Sequence, residues 1–168
     1  AFQKYDYRRE VYTHLLWVFE GLTSYYELLL LVRSRLLSQK EFFASLTREI
    51  DDLMRTPGRR VQSLSQASFD AWIKYYRPVE NSRNSSVSYY IKGCGVGCML
   101  DLELRRRSAG RVSLDDVMAA MWKQTQSTGA GVEEQGYEAL VAEVLGQKLD
   151  SFFDRYVHGT EEIDYSSF

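Results

Sequence analysis

Proline and cysteine are scarce in this chain of 168 residues: there are 2 of each, with 11 glycines and 2 histidines. So few breakers argue against a loop-rich or all-β domain and leave room for long helices. Two cysteines cannot build a disulfide scaffold. No apolar run approaches the ~18 residues that a membrane-spanning helix needs. Charge of one sign is lacking as well. With 21 Lys and Arg against 23 Asp and Glu, the formal net charge is −2, without the bulk attraction of a dedicated nucleic-acid binder. The opening Ala1-Phe2-Gln3-Lys4-Tyr5 has no initiating Met and no cationic-then-apolar signal-peptide plan. The chain is therefore expected to be a cut through a longer polypeptide, and its cysteine usage fits the cytoplasm.

What is present is an ordinary globular balance, 45% apolar and 26% charged, in about one domain's length. Aromatics stand out: 12 Tyr, 8 Phe and 3 Trp make up 14% of the chain. The tyrosines recur as doublets, Tyr25-Tyr26, Tyr75-Tyr76 and Tyr89-Tyr90. Their hydroxyls want partners. Half-buried core tyrosines or a recess lined by phenols would both account for them.

The apolar period is helical nearly throughout. Trp17 to Leu37 is so apolar that a central helix is expected there. Ser38-Gln39-Lys40-Glu41 fits a capping box and opens a helix that Thr56-Pro57-Gly58 ends. Residues 59–66 read as a loop, 67–76 as a short helix, 77–85 as a polar loop and 86–107 as a long helix. Ser113-Leu114-Asp115-Asp116 is a helix start with an acidic first turn, and Gly129 and Gly131 break that helix. Two more follow, about 133–145 and 149–157. No strict alternation marks a strand. The fold class is all-α: a single compact multi-helix lobe of roughly six or seven helices.

Two segments carry more than packing. In Trp17-Val18-Phe19-Glu20-Gly21-Leu22-Thr23-Ser24-Tyr25-Tyr26, a carboxylate sits inside an apolar run. Burying it unpaired costs several kcal/mol, roughly, so a cation, donors or a metal must compensate. Gly21 follows, although Gly inside a helix costs ~1 kcal/mol, which points to close approach of another element. A solvent-facing Glu20 beside a packing glycine is the plainer alternative. In Ser88-Tyr89-Tyr90-Ile91-Lys92-Gly93, a phenol at a helix head can project toward a ligand or simply anchor that end.

Together these segments resemble a known family. Trp-x-x-Glu-Gly-x-x-Ser-Tyr at 17–25 is similar to the third-zinc-ligand segment of gluzincins, the thermolysin-like zinc metallopeptidases. Tyr-x-Lys-Gly at 90–93 is similar to the catalytic-tyrosine segment of their aminopeptidase N branch. The wider strings at 17–26, 67–76, 86–93, 101–105 and 152–159 resemble the glycyl aminopeptidase family of bacterial zinc peptidases, in order along nearly the whole chain. The resemblance implies the helical half of a thermolysin-like catalytic domain. It implies Glu20 as the third protein ligand of a catalytic zinc, in a His₂Glu set with one open position. Tyr90 would hydrogen-bond the oxyanion, with Tyr89 as its competitor in register. Thr23 and Ser24 would orient a ligand histidine. The substrate would be a peptide with a small N-terminal residue, Gly or Ala.

The family's His-Glu-x-x-His helix, with two zinc ligands and the general base, is absent: the histidines are His14 and His158, and neither fits. The expectation is that residues 1–168 are a C-terminal helical subdomain without the His-Glu-x-x-His region, the upstream β domain and the downstream PDZ domain. Alone it should be inactive and hold no zinc, with Glu20 solvated or paired to a Lys or Arg. The competing reading is a non-catalytic helical interaction module; an exposed apolar patch would then favour weak self-association. No nucleic-acid or membrane partner is expected. His14 and Glu20, six apart, fall on different helix faces and should not share a metal. Cys94 and Cys98 make a weak metal candidate; with Gly93, Gly95 and Gly97 they form a small-residue stripe suited to close helix approach. Arg105-Arg106-Arg107 is expected on a solvated face. Asn84-Ser85-Ser86 is a glycosylation triplet by spelling only.

Overall fold

In a computed structural model, residues 7–8 and 10–165 are described, and the segment Ala1 to Tyr5 lies outside them. The described residues are helical without strands. The α-helices are α1 (Leu22–Arg33), α2 (Gln39–Met54), α3 (Leu64–Phe69), α4 (Ser82–Ser85), α5 (Ile91–Arg107), α6 (Leu114–Thr128), α7 (Gly136–Leu145) and α8 (Asp150–Phe153). Wide π turns precede α1 (Trp17–Gly21), follow α3 (Ala71–Tyr75) and extend α8 (Asp154–His158). Among the described residues, no helix is long and apolar enough to cross a membrane.

The expected central helix is not the central one. The first apolar run ends its helix at Arg33, and only Leu22 and Tyr25 of α1 are buried, while Leu30 and Leu36 are exposed. The centre is α5, buried at every residue from Lys92 to Asp101. Small residues explain this, because they let neighbours approach α5 from opposite sides. Gly93 and Gly97 face the Trp17–Gly21 turn and Leu22, whereas Gly95 faces Ile163 and Tyr165. The small residues thus form two faces, one of them one helical turn long, rather than the single stripe expected.

Local signals account for most helix ends. Ser38 and Glu41 form the capping box of α2, and Ser113 and Asp116 form that of α6. Gly129 and Gly146 end α6 and α7 in the left-handed conformation, with φ of 67° and 76°. The 59–66 loop is shorter than expected, because a second capping box, Ser63 with Gln66, starts α3 early. The expected helix over 67–76 is an α-helix to Phe69, then the π turn. The expected loop over 77–85 ends in the single turn of α4. The helix expected from Ser86 begins only at Ile91. Its lead-in is held extended instead. Ser86 lies against Gly58, where a Cβ would stand 2.1 Å from the Ser86 carbonyl oxygen. The Val87 N–H donates to Gln62 Oε1 at 3.0 Å.

Buried acids tie α5 to its neighbours. Asp101 accepts from the Tyr25 hydroxyl at 2.9 Å, the Leu114 N–H at 2.8 Å and Arg105 Nε at 3.2 Å. Buried Glu103 accepts from both Arg106 and Arg107. The arginine run therefore neutralises two buried carboxylates besides facing solvent. Asp101→Asn keeps an acceptor but loses the charge-assisted bonds. It should cost about 1–2 kcal/mol, read as a shift in denaturation midpoint without a change in slope.

Candidate active site

The site begins where two glycines remove the side chains from a helix crossing. A Cβ on Gly21 would lie 2.6 Å from the Gly93 Cα and 2.9 Å from the Tyr89 carbonyl oxygen. A Cβ on Gly93 would lie 2.8 Å from the Gly21 Cα. The Trp17–Gly21 turn therefore rests directly on the first turn of α5. Its own end is secured by Ser68, whose Oγ accepts from the buried Trp17 N–H at 3.1 Å. The Trp17 ring packs edge-on against Tyr137 at 5.5 Å.

The head of α5 is set by Ser88, whose Oγ accepts from the Ile91 N–H at 3.3 Å and whose carbonyl accepts from the Lys92 N–H at 3.0 Å. This places Tyr89 and Tyr90 on the opening turn. Their rings stack at 4.6 Å. Tyr89 is fully buried and Tyr90 half-buried. Tyr75 packs on both, at 5.1 and 5.8 Å. The Tyr76 hydroxyl lies 3.1 Å from that of Tyr89 and 3.5 Å from that of Tyr90, bridging the pair. Two of the three tyrosine doublets thus form one phenol cluster. Around it Phe69, Trp72 and Ile73 are exposed.

Glu20 faces this cluster. It is half-buried, and its Oε2 is buried without a hydrogen-bond partner. That orphaned oxygen departs from the expected solvated or cation-paired carboxylate: it is shut off from water, and among the described residues no Lys or Arg is bonded to it. The nearest lysine in sequence among the motif residues, Lys92, lines a different cavity with Arg59. Burial, the Tyr76 hydroxyl and the Glu20 carboxylate raise the Tyr90 phenol well above its ordinary value. Burial first, then the neighbouring hydroxyls and Glu20, raise Tyr89 likewise. Both phenols keep their protons at neutral pH, so they act as donors.

Thr23 and Ser24 brace the turn. Thr23 Oγ1 donates to the Phe19 and Glu20 carbonyls at 2.8 and 3.0 Å, and Ser24 Oγ donates to the Glu20 carbonyl at 2.8 Å. They hold the backbone that carries the carboxylate, and both hydroxyls are committed locally. His14 lies 3.0 Å from Ser65 Oγ through Nδ1 and stacks on Phe69. His158 Nε2 lies 2.7 Å from Glu138 Oε1. Cys94 and Cys98 are buried free thiols, pushed by burial up to about 12 and about 11. Among the described residues, no three His, Cys, Asp or Glu side chains cluster to hold a metal. Glu20 is the group whose free buried oxygen suits a cation.

Tyr75 and Tyr76 were not singled out as site residues by the sequence. Their doublet spelling was the available signal, but only the fold shows that they meet the later doublet.

The family model for M61 glycyl aminopeptidases matches residues 1–96, which include Glu20, Gly21, both tyrosine doublets of the cluster, and Gly93. The chain belongs to the M61 glycyl aminopeptidase family. Its fold is that of a crystal structure described as an aminopeptidase N family protein from Idiomarina loihiensis. The two share 32% identity and a TM-score of 0.89, over 95% of this chain and 27% of that one. The chain thus spans about a quarter of the length of that relative. No curated protein matches it. Within this M61 chain, the family match runs across the whole glycine crossing and stops just beyond it, in α5.

Proposed function

We propose that residues 1–168 form the C-terminal helical subdomain of an aminopeptidase catalytic domain that takes a zinc ion. Its substrate is a peptide with a small N-terminal residue such as Gly or Ala. Membership of the M61 family supports the reaction class. The observation that carries the site is the Gly21–Gly93 crossing, which sets an orphaned carboxylate oxygen beside a protonated phenol.

The residues present fit a metal in one respect that geometry makes specific. A buried carboxylate oxygen without a donor is a costly arrangement that a cation relieves. Glu20 would hold the zinc with ligands from a His-Glu-x-x-His segment that these residues do not contain. When bound, zinc polarises a scissile carbonyl and lowers the pKa of its water. Thr23 and Ser24 fix the backbone of Glu20, so the carboxylate meets its cation without reorganising. Tyr90 is partly open and keeps its proton, so it donates a hydrogen bond to the oxyanion that develops at the attacked carbonyl. Tyr89 is sealed in the core and supports Tyr90 through stacking. Tyr76 holds the two hydroxyls in place. Without the missing ligands and base, these residues alone do not hydrolyse peptides.

The test is metal binding in the full-length protein. Glu20→Gln preserves shape but removes the charge, and should weaken zinc at least tenfold in a competition with a chelator. Losing a ligand should cost no less than losing an outer partner of one. Unchanged affinity would remove Glu20 from the metal and leave a helical module without that chemistry.

A further inference from the structure

The aromatic surface does not end at Tyr90. The Tyr76 hydroxyl lies 3.5 Å from that of Tyr90. On its other side the Tyr76 ring meets the Trp72 ring, with centroids 5.6 Å apart and planes tilted by 34°. Trp72 is 58% exposed and Tyr76 51%. The two rings therefore form an open shelf that starts beside the Tyr90 hydroxyl. Single exposed aromatics are ordinary, but a contiguous pair next to a reactive group is the kind of apolar patch that meets a ligand.

The shelf is held in place although it is open. The Tyr76 N–H donates to the Ala71 carbonyl at 3.0 Å, and the Lys74 N–H donates to the Asp70 carbonyl at 2.9 Å. Lys74 Nζ is tied to Asp70 Oδ2 at 2.6 Å. Ala71 is fully buried, so the Ala71–Tyr75 turn is seated on the core. Its aromatics divide: Tyr75 packs on Tyr89 and Tyr90, while Trp72 and Tyr76 stay open. Rings already ordered in this way lose little freedom when something binds to them.

What meets the shelf follows from where the reacting carbonyl would stand. With Tyr90 as the oxyanion donor, its hydroxyl marks the carbonyl of the first peptide bond. The residue bearing that carbonyl is the small N-terminal one, Gly or Ala, which offers at most a methyl group to two large rings. An extended peptide advances at most about 3.3–3.6 Å per residue. The second residue thus stands about as far from the first carbonyl as the Tyr76 hydroxyl stands from that of Tyr90. A long side chain there reaches the rings, and an apolar one gains in proportion to the area it takes from water.

We infer that Trp72 and Tyr76 receive the residue immediately after the scissile bond and select a large apolar side chain, such as Phe or Leu. The inference rests on the reading of Tyr90 as oxyanion donor and adds the second half of the substrate to it: a small residue first, a large apolar one next. Trp72 sets specificity and takes no part in bond breaking.

The full-length protein is assayed on glycyl-phenylalaninamide and glycyl-glycinamide. The ratio of the two kcat/KM values within one variant cancels any loss of folded protein. Wild type should favour the phenylalanine substrate by about tenfold, the scale for covering part of one large apolar side chain. Trp72→Ala should bring that preference to about twofold or less, through the phenylalanine substrate alone, and Trp72→Phe should keep most of it. Equal cleavage of both substrates by wild type, or a preference that Trp72→Ala leaves intact, would overturn the shelf and leave the aminopeptidase reading standing. An unchanged ratio with a thermal midpoint lowered by several degrees would assign the rings to a contact with the rest of the polypeptide instead. Cleavage of neither substrate by the zinc-loaded protein would remove the reading of the site, and the shelf with it.

Discussion

Gly21→Ala is expected to lower the thermal midpoint of the full-length protein by about 6–12 °C and to abolish most of its turnover. In an open helix the sign would be the reverse, since Ala is favoured over Gly by ~1 kcal/mol. Here the added methyl meets backbone: the Gly93 Cα at 2.6 Å, the Gly93 carbonyl carbon at 2.9 Å and the Tyr89 carbonyl oxygen at 2.9 Å. None of these can rotate away, so the turn and α5 must separate. Overpacking of this kind costs about 3 kcal/mol, at the upper end of the usual range, and about 2–4 °C accompanies each kcal/mol in a domain of this size. The same separation moves Glu20 away from Tyr90, so activity should fall further than stability alone explains. Gly95→Ala is the matched control. Its methyl meets only side-chain ends, the Tyr165 hydroxyl at 3.3 Å and Ile163 Cδ1 at 3.7 Å, and it should shift the midpoint by less than about 3 °C. Equal effects of the two substitutions would refute the role given to the crossing.

If the proposed function holds, Tyr90→Phe is expected to reduce kcat of the full-length protein on a glycyl anilide by about 10²–10³-fold, the scale for losing one oxyanion donor. Zinc content and KM should change little, because the ring and its stacking on Tyr89 remain. The phenol serves as a donor only while protonated, and burial with the Glu20 charge raises its pKa. Under the role proposed for Tyr90, Tyr76→Phe should cost less, about tenfold, since its hydroxyl lies 3.5 Å from that of Tyr90 and would act only by holding it. Tyr89→Phe should lower stability more than turnover, because its hydroxyl is sealed and bonded to Tyr76. If Tyr89→Phe loses turnover and Tyr90→Phe does not, the roles of the two tyrosines are exchanged.

The helical class, the capping box at Ser38, the helix start at Ser113, and the glycine stops at 129 and 146 were legible in the sequence. Each depends on neighbours within a turn or so, where hydrogen-bond geometry follows local residue type. The close approach at Gly21 was legible for a similar reason: a glycine inside an apolar helical run carries a penalty that points to a packed neighbour, here the Gly93 backbone. The centre of the fold was misjudged because hydrophobicity marks Trp17 to Leu37, whereas centrality went to the helix whose glycines let others approach. The start of α5 was misjudged because Gly58 and Gln62 hold residues 86 and 87 extended from a distance in sequence.

The sequence by itself determined that this protein is helical and where most of its helices stop, and it marked one carboxylate and one tyrosine pair as candidates while leaving simple packing open for both. Only the tertiary structure decided which groups meet: Glu20 with Tyr90, and Tyr76 with both later phenols. The reason is one of range. Caps and periodicity are settled within a few residues, while an orphaned oxygen or a shared phenol cluster exists only after distant segments have been packed into the same place.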